Sequence, residues 1–443
     1  MPGSMFQIGR SGAAAARASL EVTSQNIANA TNPDYSRRTL QSRELVGVSA
    51  TGSGVPSGVR VDGISRNDSA VVQQQARSSA SELARADAEL EGLRGIELAL
   101  EESQLFEGLV EFEAALTQLE GNPLEPALRT NALETGRQLA GTFNFADTTL
   151  DQARVDSQAR ANESVSEINR QAAELARING ELVNAREGTV GQAALLDARD
   201  AALRDLSQQI GVETTFDDRG AVTVRIEGSP SPLLVDGISA SQVEGDFAAD
   251  GTLSVRVGAV NFAPSSGELA GHAAALSANA DFQTQIDDIA ADLIARANTA
   301  QSNGVDTAGA PAPAFFSGTD AASMALALTS ESQIATAPAG SPAGSTNTTN
   351  LRALLDSLAD PQGPVQSTDR ALLSLSSRIS AQETTRDGLA AIAENAQATL
   401  LAETGVDLDT EAANLVRLQQ AFEANSRVLQ VASEVFDTIL ALR

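Results

Sequence analysis

Cysteine is absent from this sequence, so no disulfide holds the chain together and no thiol carries chemistry. Tryptophan is absent too, tyrosine and histidine occur once each, and aromatic residues make up 3% of the 443 positions. So small an aromatic supply does not suit one large compact core. Long, thin helical packing needs fewer large side chains and more alanine and leucine, and the chain is rich in both. Positive charge is scarce: 30 basic against 58 acidic side chains leave a net −28, which argues against nucleic acid and anionic membrane surfaces as partners. No apolar run approaches membrane-spanning length. Met1 to Ala30 has no basic segment followed by a solid apolar stretch, so no secretory signal is read there. The expectation is a cytosolic chain, or one that leaves the cell by a route that cleaves no signal. Met5 would serve as a start as well as Met1. The length leaves room for two to four domains.

What is present is helical periodicity at both ends. Leu415, Leu418, Phe422, Asn425, Leu429, Ala432, Phe436 and Ile439 follow one another in steps of three and four, the a/d seam of a helix that needs a partner. Neither Gly nor Pro interrupts the stretch from Asp409 to Leu442, a rod of roughly 50 Å. Asp409 is expected at the N-cap and Glu411 in the first turn, where the helix dipole favours an anion. Gly405 is expected to close the helix before it. Val428, Val431, Val435 and Leu442 widen the apolar face beyond what one thin partner covers. Asn425 inside the seam either fixes register and partner number or is a tolerated imperfection. Near the other end, Phe6, Gly9, Ala13, Ala16, Leu20, Thr23, Ile27 and Ala30 repeat the spacing with small residues that allow close backbone approach. A first helix paired with the last is the expectation; two ordinary amphipathic surface helices are the alternative.

Between the ends, Asn29 to Ser36 stops the first helix, and Pro33 pushes the residue before it out of the α region. Tyr35 to Val48 reads as extended, with turns at Gly47 and through Gly52, Gly54 and Gly58, and Val59 to Ile64 as a short strand. Ser69 to Glu102 returns to helical spacing, and Asn122-Pro123 breaks it. A second long helix is expected from Pro126, a good first-turn residue, to Arg186, with Phe143 and Phe145 marking a bend or a heavier packing point. A third covers Gln192 to Ile210. The period then becomes two: Val212–Phe216 and Val222–Ile226 alternate as strands around the turn Asp217-Asp218-Arg219-Gly220. Leu233–Val235, Ile238–Val243 and Leu253–Val257 continue a small β-rich module. Helix resumes from Gly267 to Gln301. Asn303 to Asn350 is low in pattern, and Ala335 to Asn350 reads as a surface loop or mobile segment. Ser367 to Ala402 is the last long helix before the terminal one.

The fold class expected is mainly α, elongated and nested. Residues 1–34 and 406–443 form a terminal-helix coiled-coil domain; 35–210, 265–302 and 351–405 form a rod of long antiparallel helices; 211–264 with 303–350 form a small inserted β-rich module and flexible loop. No residue set reads as catalytic, cofactor-binding or metal-binding. His272 lacks a partner base or nucleophile and reads as a surface or packing residue. Asp407, Asp409 and Glu411 alternate as acids, but a calcium loop needs more ligands and a central turn glycine, so helix capping is the reading. Gly52 to Gly58 lacks the lysine and the strand–loop–helix setting of a phosphate loop.

Five segments, in order, carry a likeness to a known family. They are Ser24-Gln25-Asn26-Ile27-Ala28-Asn29 followed by Asn32-Pro33-Asp34-Tyr35-Ser36-Arg37; Glu167-Ile168-Asn169 through Ile178-Asn179-Gly180-Glu181; Leu195-Leu196-Asp197-Ala198-Arg199-Asp200; Gly267-Glu268-Leu269-Ala270-Gly271; and Val406-Asp407-Leu408-Asp409-Thr410-Glu411 running on to Gln419-Gln420-Ala421-Phe422. The chain resembles the bacterial flagellar hook-associated protein 1 family, the hook–filament junction proteins. The first segment marks flagellar axial proteins at large, and its Tyr-Ser-Arg ending is the junction-protein version. Asp34 stands where the family usually has Gly. After Phe315-Phe316 the chain is short and simple where many relatives insert a further β-rich domain.

The resemblance implies a structural, non-enzymatic adaptor without cofactors. It would form a ring between hook protein and the second hook–filament junction protein, on the flagellum outside the cell, after unfolded export without a cleaved signal. An export chaperone would hold the C-terminal helix before assembly. The assembly surface expected is Phe6, Ile8, Leu20, Ile27, Leu415, Leu418, Phe422, Asn425, Leu429, Phe436 and Ile439. Alternatives are another axial protein, such as hook protein or the second junction protein, or a free secreted coiled-coil binding module.

Overall fold

The computed structural model describes residues 2–48, 54–228 and 232–441. Helix α1 (Pro2–Ala28) leads into an antiparallel hairpin, β1 (Arg38–Val48) with β2 (Gly54–Arg66). Four helices follow: α2 (Ala70–Ser103), α3 (Leu105–Gly121), α4 (Pro126–Asn184) and α5 (Val190–Gln209). Strands β3 (Val212–Phe216), β4 (Val222–Ile226), β5 (Val235–Asp236) and β6 (Ser239–Ala240) make one sheet in that order; β7 (Val243–Phe247), β8 (Leu253–Val257) and β9 (Val260–Phe262) make another. After α6 (Glu268–Ser302) come the two-residue strands β10 (Gly304–Val305), β11 (Phe316–Ser317), β12 (Ala325–Leu326) and β13 (Ala337–Pro338), paired β10 with β13 and β11 with β12. Helices α7 (Thr349–Leu358), α8 (Pro364–Thr404) and α9 (Leu408–Ala441) complete the described chain.

The 59 residues of α4 make a rod of about 90 Å. Pro126 opens it, where a missing N–H costs nothing, and no later proline interrupts it. Its buried residues recur at helical spacing along the whole length, so it runs through both hydrophobic cores. The first core gathers α2, α3, the first half of α4, α6, α7 and α8. At its centre Phe112 meets Phe315 and Phe316 edge-on, with ring centroids 5.5 and 5.8 Å away. The second core lies between the later half of α4, α5, the two small sheets and the start of α6. Where α6 crosses α2, Gly271 lies against the backbone at Arg85 and Glu89, and Gly92 lies against Ala275. Neither glycine leaves room for a Cβ, so small residues set the closeness of that crossing.

Several boundaries differ from the sequence reading. Helix α2 ends at Ser103 because Gln104 turns into the left-handed region (φ 53°), and α3 restarts at Leu105. Of the two readings at Phe143 and Phe145, the packing point fits Phe143, which is buried in the first core within an unbroken helix, while Phe145 is exposed. The β-rich stretch after residue 211 divides into two sheets. Residues 303–350, grouped above with 211–264, pack elsewhere: Phe315, Phe316, Ala321, Met324, Leu328 and Ile334 belong to the first core. Ala335, Thr336 and Ala337 of the expected surface loop are buried, and a helix, α7, starts at Thr349. The helix cap before α9 is Asp407, whose carboxylate accepts from the Thr410 N–H at 2.6 Å; Asp409 lies two residues further on, inside the first turn and exposed. Gly405 does follow the preceding helix, with extended backbone and its N–H on the Leu401 carbonyl.

Candidate functional site: the terminal helix pair and its elbow

Helix α1 packs along α9. Gly9 sits against Leu429 and Val428, and Gly12 against the Asn425 amide. Rising numbers on one helix meet falling numbers on the other, so the two run antiparallel. The small residues of α1 are what allow this: a methyl group at Gly12 would overlap the Asn425 side chain. Asn425 Nδ2 donates to the Ala421 carbonyl one turn back, leaving its oxygen toward Gly12. Gly9, Ala16 and Thr23 of the α1 seam are buried, and Leu20 and Ile27 are half-buried. On α9, Ala432 is buried and Leu415, Leu418, Asn425 and Leu429 are half-buried. Four residues of the expected assembly surface remain open to water: Phe6 is 48% exposed, Ile8 38%, Phe422 38% and Phe436 54%. Met5, Val416, Val428, Val431 and Val435 add to that open apolar surface. The side chain of Ile439, like Leu442 and the turn glycine Gly52, lies outside the described residues.

The pair joins the rod through a cluster of buried polar groups that the sequence reading did not foresee. Asn26, near the end of α1, behaves toward Arg38 as a strand neighbour would. Its Nδ2 donates to the Arg38 carbonyl at 2.9 Å and its Oδ1 accepts from the Arg38 N–H at 3.0 Å. The same oxygen accepts from the Tyr35 hydroxyl at 2.8 Å. Burial pushes the Tyr35 phenol above its ordinary range, against the opposing pull of the Arg38 guanidinium 4.6 Å from its ring centroid.

From there the cluster reaches α5. Arg38 donates to Asp197 at 2.6 Å, Arg66 lies 2.9 Å from Asp197 and donates to Asp200 at 2.6 Å, and Arg199 donates to Asp200. Burial alone would raise the Asp200 carboxyl; Arg199 and Arg66 more than offset it and hold it below the usual range. Beside this cluster β2 crosses the α4–α5 turn at two glycines. A Cβ on Gly63 would lie 2.8 Å from the Gly188 Cα, and the Ile64 N–H donates to the Gly188 carbonyl. Asp34 keeps an ordinary negative φ and pairs with Arg204, so the missing glycine of the first motif leaves the turn intact.

The two connectors between pair and rod run side by side. The Arg37 N–H donates to the carbonyl of Thr404 at the end of α8, and the Asn67 N–H donates to the Arg37 carbonyl. The Arg37 guanidinium donates to Glu411 at 2.7 Å; the Glu411 side chain is 1% exposed and that of Arg37 22%. Glu411 was expected to answer the helix dipole, and it also closes this link between residues 374 positions apart.

A cleft of about 1200 Å³ opens beside the elbow between α2, α8 and the α4–α6 side, with His272 and Glu268 in its wall. Burial, and then Arg160, press the His272 imidazole down to about 4, so it is a neutral packing group at physiological pH. Among the described residues no group of three or more His, Asp or Glu side chains is placed to hold a metal ion. No helix among them is long and apolar enough to cross a membrane.

Comparison with known proteins agrees with this architecture. The family model described as "Flagellar hook-associated protein FlgK helical domain" matches residues 70–316, more than half of the chain. The model described as "Flagellar basal body rod FlgEFG protein C-terminal" matches residues 397–442, the end of α8 and α9. The two matches define a helical protein of the bacterial flagellum. Within that class, the chain belongs to the FlgK family of flagellar hook-associated proteins. Flagellar hook-associated protein 1 of Escherichia coli is 28% identical over 246 residues, 54% of this chain and 44% of the relative. That of Bacillus subtilis is 23% identical over 242 residues, 52% of this chain and 48% of the relative. The matched region thus spans less than half the length of these curated relatives. The solved flagellar hook junction protein FlgK of Burkholderia pseudomallei superposes with a TM-score of 0.49 at 19% identity, over 55% of this chain and 46% of that one.

Proposed function

We propose that the chain is a structural adaptor of the bacterial flagellum. Its copies form the ring that joins hook to filament, held by packing of the N- and C-terminal helices between neighbours. The observation that carries this reading is the apolar surface left open on the terminal pair, with Phe6 and Ile8 on α1 and Phe422 and Phe436 on α9. A lone chain leaves it in water; helices of an adjacent copy would cover it. Leu20, Ile27, Leu415, Leu418, Asn425, Leu429 and Ile439 complete the proposed assembly surface. Hook protein lies below the ring and the second junction protein above it. An export chaperone covers α9 until the chain has left the cell by the flagellar route, without a cleaved signal. The role is mechanical rather than enzymatic, with no cofactor, nucleic acid or membrane surface involved. Electron microscopy of cells lacking the gene tests it, with the medium assayed for shed filament protein. Bare hooks and shed filament protein are expected. Missing hooks would move the protein down the axis toward rod or hook, and normal filaments would overturn the ring in favour of a free secreted module.

A further inference from the structure

We propose that Arg37 is a positioning residue whose ion pair with Glu411 sets the angle at which the terminal helix pair leaves the rod; the proposal rests on the ring reading above. Pair and rod are joined by two connectors, residues 29–37 and 405–407, and two unrestrained strands of chain would act as a hinge. Arg37 removes that freedom at three points. Its N–H holds Thr404, its carbonyl holds Asn67, and its guanidinium holds Glu411 in the first turn of α9. The backbone bonds fix where the connectors pass. The Glu411 bond fixes how α9 starts relative to them, because a carboxylate in the first turn of a helix turns with the helix.

The adjoining groups stiffen the same joint without duplicating this bond. Asn26 fastens the end of α1 to Arg38, and Arg38 and Arg66 fasten the hairpin base to Asp197 and Asp200. They hold the N-terminal connector to the rod, whereas Arg37 to Glu411 ties that connector to the first turn of α9. Its burial makes it directional: a guanidinium donating to a desolvated carboxylate tolerates little misalignment. A subunit that seats between two different neighbours needs its assembly helices presented at one angle, and this pair supplies the constraint.

The test is a double-mutant comparison in the full chain, in cells whose own copy is deleted, reading filament protein shed into the medium and the main thermal unfolding transition of purified protein. Arg37→Ala and Glu411→Ala should each raise shedding about tenfold, the scale of one buried charge-assisted hydrogen bond. The double variant should be no worse than the worse single, because one bond is lost once. Arg37→Lys, which keeps the charge on a flexible stem, should stay within about threefold of the parent. The main transition, set by the rod cores, should not move. Shedding at the parental level in both alanine variants would overturn the proposal. So would losses that multiply in the double variant, or a lowered main transition, which would make these ordinary fold residues. The deletion strain separates the two readings: attached filaments there sink the ring itself, whereas shedding there with intact filaments in the alanine variants sinks only the positioning role.

Discussion

His272 shows how one buried group writes a pH dependence into the fold. Folded, it resists protonation until about pH 4, while an unfolded chain takes up the proton near 6.5. Between those values the unfolded state binds more protons, so stability falls as pH drops from 6.5 to about 4 and loses nothing further below. The ceiling on this loss is about 3 kcal/mol. The difference in unfolding free energy between parent and His272→Gln, measured against pH, should therefore shrink across that window and be flat above pH 7. Asn26 makes the second residue-scale case. Its removal strands the Arg38 N–H and carbonyl and the Tyr35 hydroxyl in a buried site. Asn26→Ala should cost about 2–3 kcal/mol in the local opening of the hairpin base, read by amide hydrogen exchange at Arg38. From its isolation in the sequence His272 reads as a surface or packing residue, and its burial decides for packing. The arginine–aspartate cluster was not: Arg38 and Asp197 lie 159 positions apart, and charge periodicity within either segment says nothing about the other.

At the scale of elements, long helices were legible wherever a three/four rhythm persisted over many turns, as in α2, α4, α6 and α9. The segment from 303 to 338 was not, because two-residue strands have no period and its turns are built from small polar residues. What anchors that segment is Phe315-Phe316, packed on Phe112 of α3. The Asn298 amide assists, accepting from the N–H groups of both phenylalanines. Phe112→Ala should lower global stability by about 3–5 kcal/mol in denaturant titration. It should also raise hydrogen exchange across residues 315–334 ahead of the β3–β9 sheets, whose core is separate. A uniform rise in both regions would show that the two cores unfold as one.

At the scale of the whole molecule, among the described residues the rod cores contain none of α1 or α9. Truncation before Asp409 should therefore leave a folded rod, with its main thermal transition kept, that cannot support filament attachment; growth of attached filaments on that truncate would contradict the assembly surface. The Arg37–Glu411 link has a consequence in time as well as in space. Closing two groups 374 positions apart in a free chain carries a large entropic cost. A folded rod removes most of it, since the Thr404 carbonyl already stands at the Arg37 N–H. The order of events follows: rod first, ends last. However early the first helix emerges from a ribosome, its partner begins only at Leu408, and no complete terminal pair exists until that segment has followed. A nascent copy that has not yet reached α9 thus carries only one half of the joint, and the polypeptide's own connectivity delays the pairing of its ends until α9 has been made.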